Sequence, residues 1–336
     1  MHYIRLLRPA KFDASDRRRP IISLLITITT DLGDSFLYPD EPVELMVAAD
    51  DAAGQSVVLK TDQPPRWTAG MRGVCTPISV RTIQLGTGSQ PENQLSLDLE
   101  EDIGESIARH IWDAGIVTAC FLADSCNSSE NIRNVLPIEK DTFSVLELGS
   151  GVGILGITLA RIVERAAAVQ GRTLSEATVL LTDLPEAEER AMSNMSIAET
   201  ALSCMHTSAS AVTLLYEDLD WDEGKHGRFG PLASVRPWDL IVLSDCTYNV
   251  DSLPALVGTL SAVHAANLKH PDVKDDAKTS VILATKPRHS SEQALFELLK
   301  TDEWRYSVLK SISLPKLGEE DEQVDIYLLE KGKGIS

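Results

Sequence analysis

Val145-Leu146-Glu147-Leu148-Gly149-Ser150-Gly151-Val152-Gly153 reads as a buried strand that ends in a tight turn and opens a helix. A short apolar run carries one acid near its end. Three glycines follow at alternate positions, and then an apolar, helix-like stretch runs from Ile154 to Val163. Glycines in such a turn permit positive φ and let a ligand lie against bare backbone at a helix N-terminus, where the N–H groups lack intrahelical partners. This is the makeup of a nucleotide-type cofactor loop. Gly149, Ser150, Gly151 and Gly153 are its candidate cofactor contacts.

Two cofactor chemistries fit the loop. Gly151-Val152-Gly153-Ile154-Leu155-Gly156 matches the G-x-G-x-x-G of dinucleotide folds. The longer match is E-x-G-x-G-x-G, from Glu147 to Gly153. A carboxylate at Glu147 suits a cationic amine and repels a pyrophosphate. The longer pattern resembles motif I of the S-adenosylmethionine-dependent methyltransferases with a seven-stranded sheet. That resemblance implies that Glu147 lies near the methionine ammonium and that the glycines face the methionine and ribose. The plain alternative is a strand–turn–helix without a ligand, but alternate glycines weaken any element they do not serve.

The 336 residues suffice for one large or two modest domains, and a 43% hydrophobic content can build a sizeable core. A net charge of −19 argues against a nucleic-acid backbone as the main ligand and is compatible with a basic protein substrate. No apolar run approaches the ~20 residues that span a membrane. Arg17-Arg18-Arg19 precedes Ile21–Thr30, but Ile26 and Ile28 alternate with Thr27 and Thr29, as in a half-buried strand and unlike a signal peptide. The five cysteines form no C-x-x-C and the seven histidines are scattered, which points to reduced thiols inside a cell and to no metal site. A cytoplasmic location is expected, with a nuclear one left open.

From Ser144 onward strands and helices alternate. Strands are expected at Ser144–Gly149, Thr178–Thr182, Ala211–Tyr216, Asp239–Ser244 and Val281–Lys286. Helices are expected at Ile154–Val169, Ala187–Ala201, Ser252–Leu268 and Ser291–Lys300. Repeated β–α units imply a parallel sheet covered on both faces. Tyr306–Ile312 and Asp325–Glu330 follow with only the polar loop Lys316–Gln323 between them, so the sheet ends in an antiparallel hairpin. The expected fold is therefore α/β, a Rossmann-like seven-stranded sheet with an N-terminal β-rich extension. In that extension, stretches at Ile21–Thr30, Val43–Ala48, Ser56–Lys60, Val74–Arg81 and Gln94–Leu99 alternate with turn residues. The expected domains are 1–103 and 104–336. Asp124–Asn134, rich in Asp, Ser and Asn, reads as a surface loop.

Asp183 ends the second strand of the sheet, where an acid in nucleoside-binding α/β folds takes the ribose hydroxyls; the alternative is an N-cap for the next helix. Ser244-Asp245-Cys246-Thr247-Tyr248 follows the fourth strand, and the carboxyl ends of parallel strands are where open α/β sheets bind ligands. D-x-x-Y at this place resembles the signature of the family-16 protein methyltransferases, the seven-strand lysine-methylating group. Asp220-Trp221 resembles that family's tryptophan near the adenine, and Trp112-Asp113-Ala114-Gly115 resembles its W-x-A-G segment. The match spans about 104–330. It implies S-adenosylmethionine as cofactor, held by Trp112, Glu147, Gly149, Ser150, Gly151, Gly153, Asp183, Trp221 and Ser244, with Asp245 and Tyr248 as the catalytic pair. Trp112 and Trp221 also suit a core or rim, Asp245 a helix cap, and Cys246 reads as a small buried residue.

The expected activity is methyl transfer to lysine side chains of a protein, with no nucleic acid and no membrane as partner. The alternatives are a small-molecule N-methyltransferase on the same fold, an NAD-dependent oxidoreductase, and a non-catalytic module that keeps the cofactor fold.

Overall fold

Val145–Leu148 and Val179–Leu181 offer no polar face apart from Glu147, and such strands must be covered on both sides. In the computed structural model they are interior strands of a sheet built from β1 (Thr142–Leu148), β2 (Glu176–Asp183), β3 (Val212–Asp218), β4 (Leu240–Ser244), β5 (Thr279–Thr285), β6 (Arg305–Ser313) and β7 (Gln323–Lys331). The strand order is β3-β2-β1-β4-β5-β7-β6. The first five strands are parallel, and β7 runs antiparallel between β5 and β6. The seven strands and the antiparallel end agree with the sequence reading. The structure describes residues 2–6, 11–13, 21–30, 36–45, 47–50, 56–59, 66–69, 71, 74–79, 97, 99–101, 106–128, 136, 142–169, 176–205, 212–271, 278–287, 294–314 and 322–332.

The helices are α1 (Asp113–Ser128), α2 (Ile154–Val169), α3 (Pro185–Met205), α4 (Leu253–Lys269) and α5 (Ala294–Thr301), with one-turn helices at Trp221–Gly224 and Pro231–Ser234. Alternate residues of the central strands divide between the two sheet faces. Leu146, Leu148, Leu180, Ile241, Leu243 and Leu283 join Leu256, Leu260 and Leu299 of α4 and α5 in one buried cluster. Glu147 and Leu181 face the other way, onto Gly156 and Gly153 at the start of α2. Among the described residues no helix is long and apolar enough to cross a membrane.

The sequence reading missed α1. Ala114, Thr118 and Leu122, spaced four apart, are buried along one side of it, and the helix continues through Asp124 to Ser128, inside the expected surface loop. The polar residues at its end follow the apolar stripe in the helix; 129–135 lie outside the described residues, as does most of the expected hairpin loop.

Contacts divide the chain into residues 1–94 with 315–322, and 95–314 with 323–336. Within the first unit, Ile21–Thr30 pairs antiparallel with His2–Leu6, Lys11–Asp13 and Val74–Ser79. Ile26, Ile28, Leu37, Leu45 and Trp67 form its core, and Trp67 Nε1–H donates to the Leu37 carbonyl at 2.8 Å. The expected strand Val43–Ala48 is two short ones, Val43–Glu44 and Val47–Asp50. Of the expected strand at 94–99, Leu97 and Leu99 lie outside any strand and the rest is outside the described residues.

The second unit thus begins ahead of the expected boundary at 104. The reason is a strap before α1. The Asn194 side chain of α3 accepts from the Glu100 N–H at 2.7 Å and donates to the Glu100 carbonyl at 2.9 Å and the Val152 carbonyl at 3.0 Å. Arg190 adds an ion pair to Glu100 at 2.5 Å. At the far edge, the register of β6 shifts between Val308 and Lys310, a bulge in the terminal strand. Asn194→Ala empties a fully buried site and strands three backbone groups, so urea unfolding should give a stability lower by about 1–3 kcal/mol, and an unchanged midpoint would discount the strap.

Candidate active site

The strand order reverses between β1 and β4, and an open parallel sheet leaves a crevice beyond the carboxyl ends of its strands at that point. A cavity of about 620 Å³ lies there, within the size range of small-molecule sites. The turns after β1, β2, β3 and β4 build its wall. Trp112, Gly149, Gly151, Asp183, Trp221, Ser244, Asp245 and Tyr248 all line it. Glu147, Ser150 and Gly153, also read as cofactor contacts, are not among its lining residues.

The glycine turn has to be glycine. Gly149 has φ of 63°, and a Cβ there would sit 2.5 Å from Cys246 Sγ and 3.2 Å from the Trp221 ring. Gly151 has φ of 54°, with the Ala108 carbonyl 3.2 Å from a Cβ position. Left-handed backbone and missing side chains together leave the cradle open. Gly151 N–H donates to Asp183 Oδ2 at 2.7 Å, and Leu184 N–H to Asp183 Oδ1 at 2.7 Å. Asp183 therefore binds the backbone of the glycine turn and of Leu184, ahead of α3, and it lines the cavity. A carboxylate has about four acceptor sites, so Asp183 retains capacity for a ribose diol. Burial pushes its carboxyl up from the ordinary 3.8, against the pull of those two N–H groups.

Glu147 serves the turn from behind. It is 1% exposed, and its Oε2 accepts from Gly156 N–H at 2.8 Å. Side chains alternate along β1, so Glu147 points at α2, where Gly156 leaves room: a Cβ there would lie 2.6 Å from Oε2. Burial drives its carboxyl from the ordinary 4.5 to about 8, with the Gly156 N–H opposing and the Asp183 charge adding to the rise. Ser150 Oγ, also buried, has no hydrogen-bond partner among the described residues.

Asp245 is 6% exposed and holds φ of 53°, a left-handed conformation uncommon outside glycine. Two hydrogen bonds fix it. Its N–H donates to the Ala284 carbonyl at 3.0 Å, and its Oδ2 accepts the Ala114 N–H at 2.6 Å. The carboxylate thus stands at the N-terminus of α1, where negative charge is favoured, while lining the cavity. Tyr248 is 52% exposed at the mouth, and burial of its inner half pushes the phenol above its ordinary 10. Cys246 is buried between them, as its sequence context suggested; its thiol donates to the Leu148 carbonyl at 3.4 Å, and burial raises its pKa far above the usual value.

The sequence reading missed one wall. Ser106, Ile107 and Ala108 line the cavity, and Arg109 ties this turn to α3 through the Glu186 carbonyl at 2.9 Å and Glu189 at 3.2 Å. The only signal for them was adjacency to Trp112, whose Nε1–H donates to the Ile107 carbonyl at 3.0 Å. Among the described residues no three His, Cys, Asp or Glu side chains come together as a metal site.

The arrangement fits S-adenosylmethionine. A glycine cradle, the Asp183 carboxylate and the Trp112 and Trp221 side chains line one cavity. Glu147 has a consequence for stability. A carboxyl whose folded pKa is raised stabilises the fold fully below its unfolded pKa, and that contribution is lost as pH rises through the folded value. Stability should therefore fall between pH 4.5 and about 8, and Glu164, raised to about 7 mainly by burial, acts in the same direction. Glu147→Gln should flatten this decline in urea unfolding at pH 5, 7 and 8.5; equal slopes for variant and parent would remove Glu147 as its source.

The chain is similar to several known proteins. A family model described as lysine methyltransferase matches residues 91–302. A UPF0665 family protein of Schizosaccharomyces pombe is 26% identical over 379 residues, covering 98% of this chain and 99% of the relative. Among solved structures, an O-methyltransferase family protein from Burkholderia thailandensis has a TM-score of 0.35 at 11% identity, over 63% of this chain and 58% of its own. An rRNA methylase from Streptococcus thermophilus has a TM-score of 0.32 at 10% identity, over 66% of this chain and 99% of its own. S-Adenosylmethionine is the cofactor. With the matched segment running from ahead of the strap before α1 through α5, the chain belongs to the lysine methyltransferase family.

Proposed function

We propose that this methyltransferase modifies lysine side chains of a protein substrate. The observation that carries the reading is the charge of the cavity. Of the described residues that line it, Asp183, Glu186, Asp220, Asp222 and Asp245 are acidic and none is basic. Such a wall favours a cationic acceptor and repels phosphate and carboxylate, so a nucleic acid is a poor partner. Tyr248, Asn249 and Leu184 are exposed at the mouth, which supports entry of a side chain from a protein surface over enclosure of a small molecule.

Bound S-adenosylmethionine supplies an electrophilic methyl on a sulfonium. The chain's own residues bind and aim the acceptor. A lysine amine has a pKa of ~10.4 in water and must lose its proton to react. Asp245 favours the protonated form, so it serves to capture and orient the ammonium. Tyr248, neutral at pH 7, offers a ring face and a hydroxyl to the same group. Cys246 and Tyr248 both resist ionisation, so neither is a base at neutral pH, and the amine's proton passes to water before transfer.

Incubating the chain with labelled S-adenosylmethionine and a methyl-depleted cell extract, followed by mass spectrometry, should find label on lysine; label confined to small molecules or RNA would overturn the reading. Asp183→Ala should weaken calorimetric binding of S-adenosylhomocysteine by about 1–3 kcal/mol, the range for hydrogen bonds to a charged group. Asp245→Asn keeps an acceptor for the Ala114 N–H and loses the charge. Its turnover should fall about 10²-fold, as misplacement of reacting groups costs, with little change in cofactor affinity. Tyr248→Phe, tested beside it, separates the ring from the hydroxyl; full turnover in a folded Asp245→Asn chain would take Asp245 out of the reaction.

A further inference from the structure

We infer that Lys286 and Asp113 are positioning residues for Asp245: they close a ring of contacts that holds its carboxylate at the cavity. The inference rests on the proposed role of Asp245 in aiming the acceptor amine.

Lys286 Nζ lies 2.6 Å from Asp113 Oδ2, and the two side chains are 5% and 0% exposed. Neither residue lines the cavity. Asp113 is the first residue of α1, and the next residue, Ala114, donates its N–H to Asp245 Oδ2 at 2.6 Å. Lys286 directly follows β5, whose Ala284 carbonyl accepts the Asp245 N–H at 3.0 Å. The path therefore returns on itself: from the Asp245 carboxylate to Ala114, along one peptide to Asp113, across the ion pair to Lys286, back two residues to Ala284, and into the Asp245 backbone. Three elements distant in sequence, the start of α1 and the ends of β4 and β5, meet in this ring.

Two features give the ring a purpose beyond packing. Asp245 holds a backbone conformation that an L-residue adopts reluctantly, and such a conformation persists only where its surroundings over-determine it. The ring supplies that constraint at both the backbone and the side chain. Gly115 tightens it further, since a Cβ there would lie 2.8 Å from Ile154 Cγ2 and 3.5 Å from Ser244 Oγ, so α1 sits directly on the start of α2 and on the residue before Asp245. A buried ion pair is also a costly way to gain stability, because desolvation offsets much of the attraction, and replacing both partners together is often neutral. What the pair provides here is the place and angle of the α1 N-terminus, and so of the Ala114 N–H that fixes Asp245 Oδ2.

The test uses the full chain, with Lys286→Met alone and with Asp113→Asn/Lys286→Met. The readouts are amide hydrogen exchange, calorimetric affinity for S-adenosylhomocysteine, thermal midpoint, and methyl transfer from labelled S-adenosylmethionine to the methyl-depleted extract. Lys286→Met should deprotect the Ala114 amide while α4 keeps its protection, leave S-adenosylhomocysteine affinity nearly unchanged, and lower turnover about 10²-fold. In the double variant, which removes both charges of the ion pair, the thermal midpoint should recover while turnover stays low. Recovery of turnover together with the midpoint would reduce the pair to a structural role. Undiminished protection at Ala114 in Lys286→Met would overturn the ring whatever the activity. Absence of lysine methylation by the parent chain would instead sink the proposed function, and the exchange measurement would still decide the ring.

Discussion

The crevice depends on what happens to the N–H groups between the end of β1 and the start of α2. A helix begins with donors that have no partner inside it, and here they begin in the floor of a binding site. Two acids from neighbouring strands take them up. Asp183 at the end of β2 accepts from Gly151, and Glu147 within β1 accepts from Gly156. Ser150 N–H goes to the Thr182 carbonyl at 3.0 Å, and Thr182 Oγ1 donates to the Glu147 carbonyl at 2.6 Å. The turn is thus tied to β2 at two points, and its glycines are free to present backbone to the cavity.

The two acids differ in environment and so in duty. Asp183 is partly exposed at the cavity and is held by two N–H groups. Glu147 is enclosed beneath α2, where burial pushes its carboxyl up to about 8. A protonated carboxyl can still accept from Gly156, and it carries no net charge into the sheet. Glu147 therefore shapes the loop, whereas Asp183, Asp245 and the exposed acids set the field of the crevice.

Much of this was legible in the sequence. Period and punctuation mark the β–α units: Ile154–Val169 is a helix within the expected bounds, and the five parallel strands lie within two residues of expectation at each end. The motif residues at the strand ends were legible because glycine, acid and tryptophan are unusual there. The direction of Glu147 was not, since a short motif does not say which sheet face a residue takes. Nor was α1, whose polar last turn resembles a loop. The ion pair between Asp113 and Lys286 spans 173 positions and follows only from the meeting of α1 with β5. Asp113 was quoted in the W-x-A-G segment, but no local pattern names its partner.

The last strand raises a different matter, which concerns neighbouring molecules. β6 is the outer strand of its sheet, and Tyr306 and Val308 on it are 46% and 56% exposed. A long, flat, apolar edge invites another chain to add itself as an eighth strand. The shift in register between Val308 and Lys310 breaks the row of evenly spaced backbone groups there, and the exposed Lys310 sets a charge beside it. An incoming strand finds only short runs to match. The bulge in β6 thus interrupts the edge to which a further strand would add, at the opposite edge of the sheet from β3.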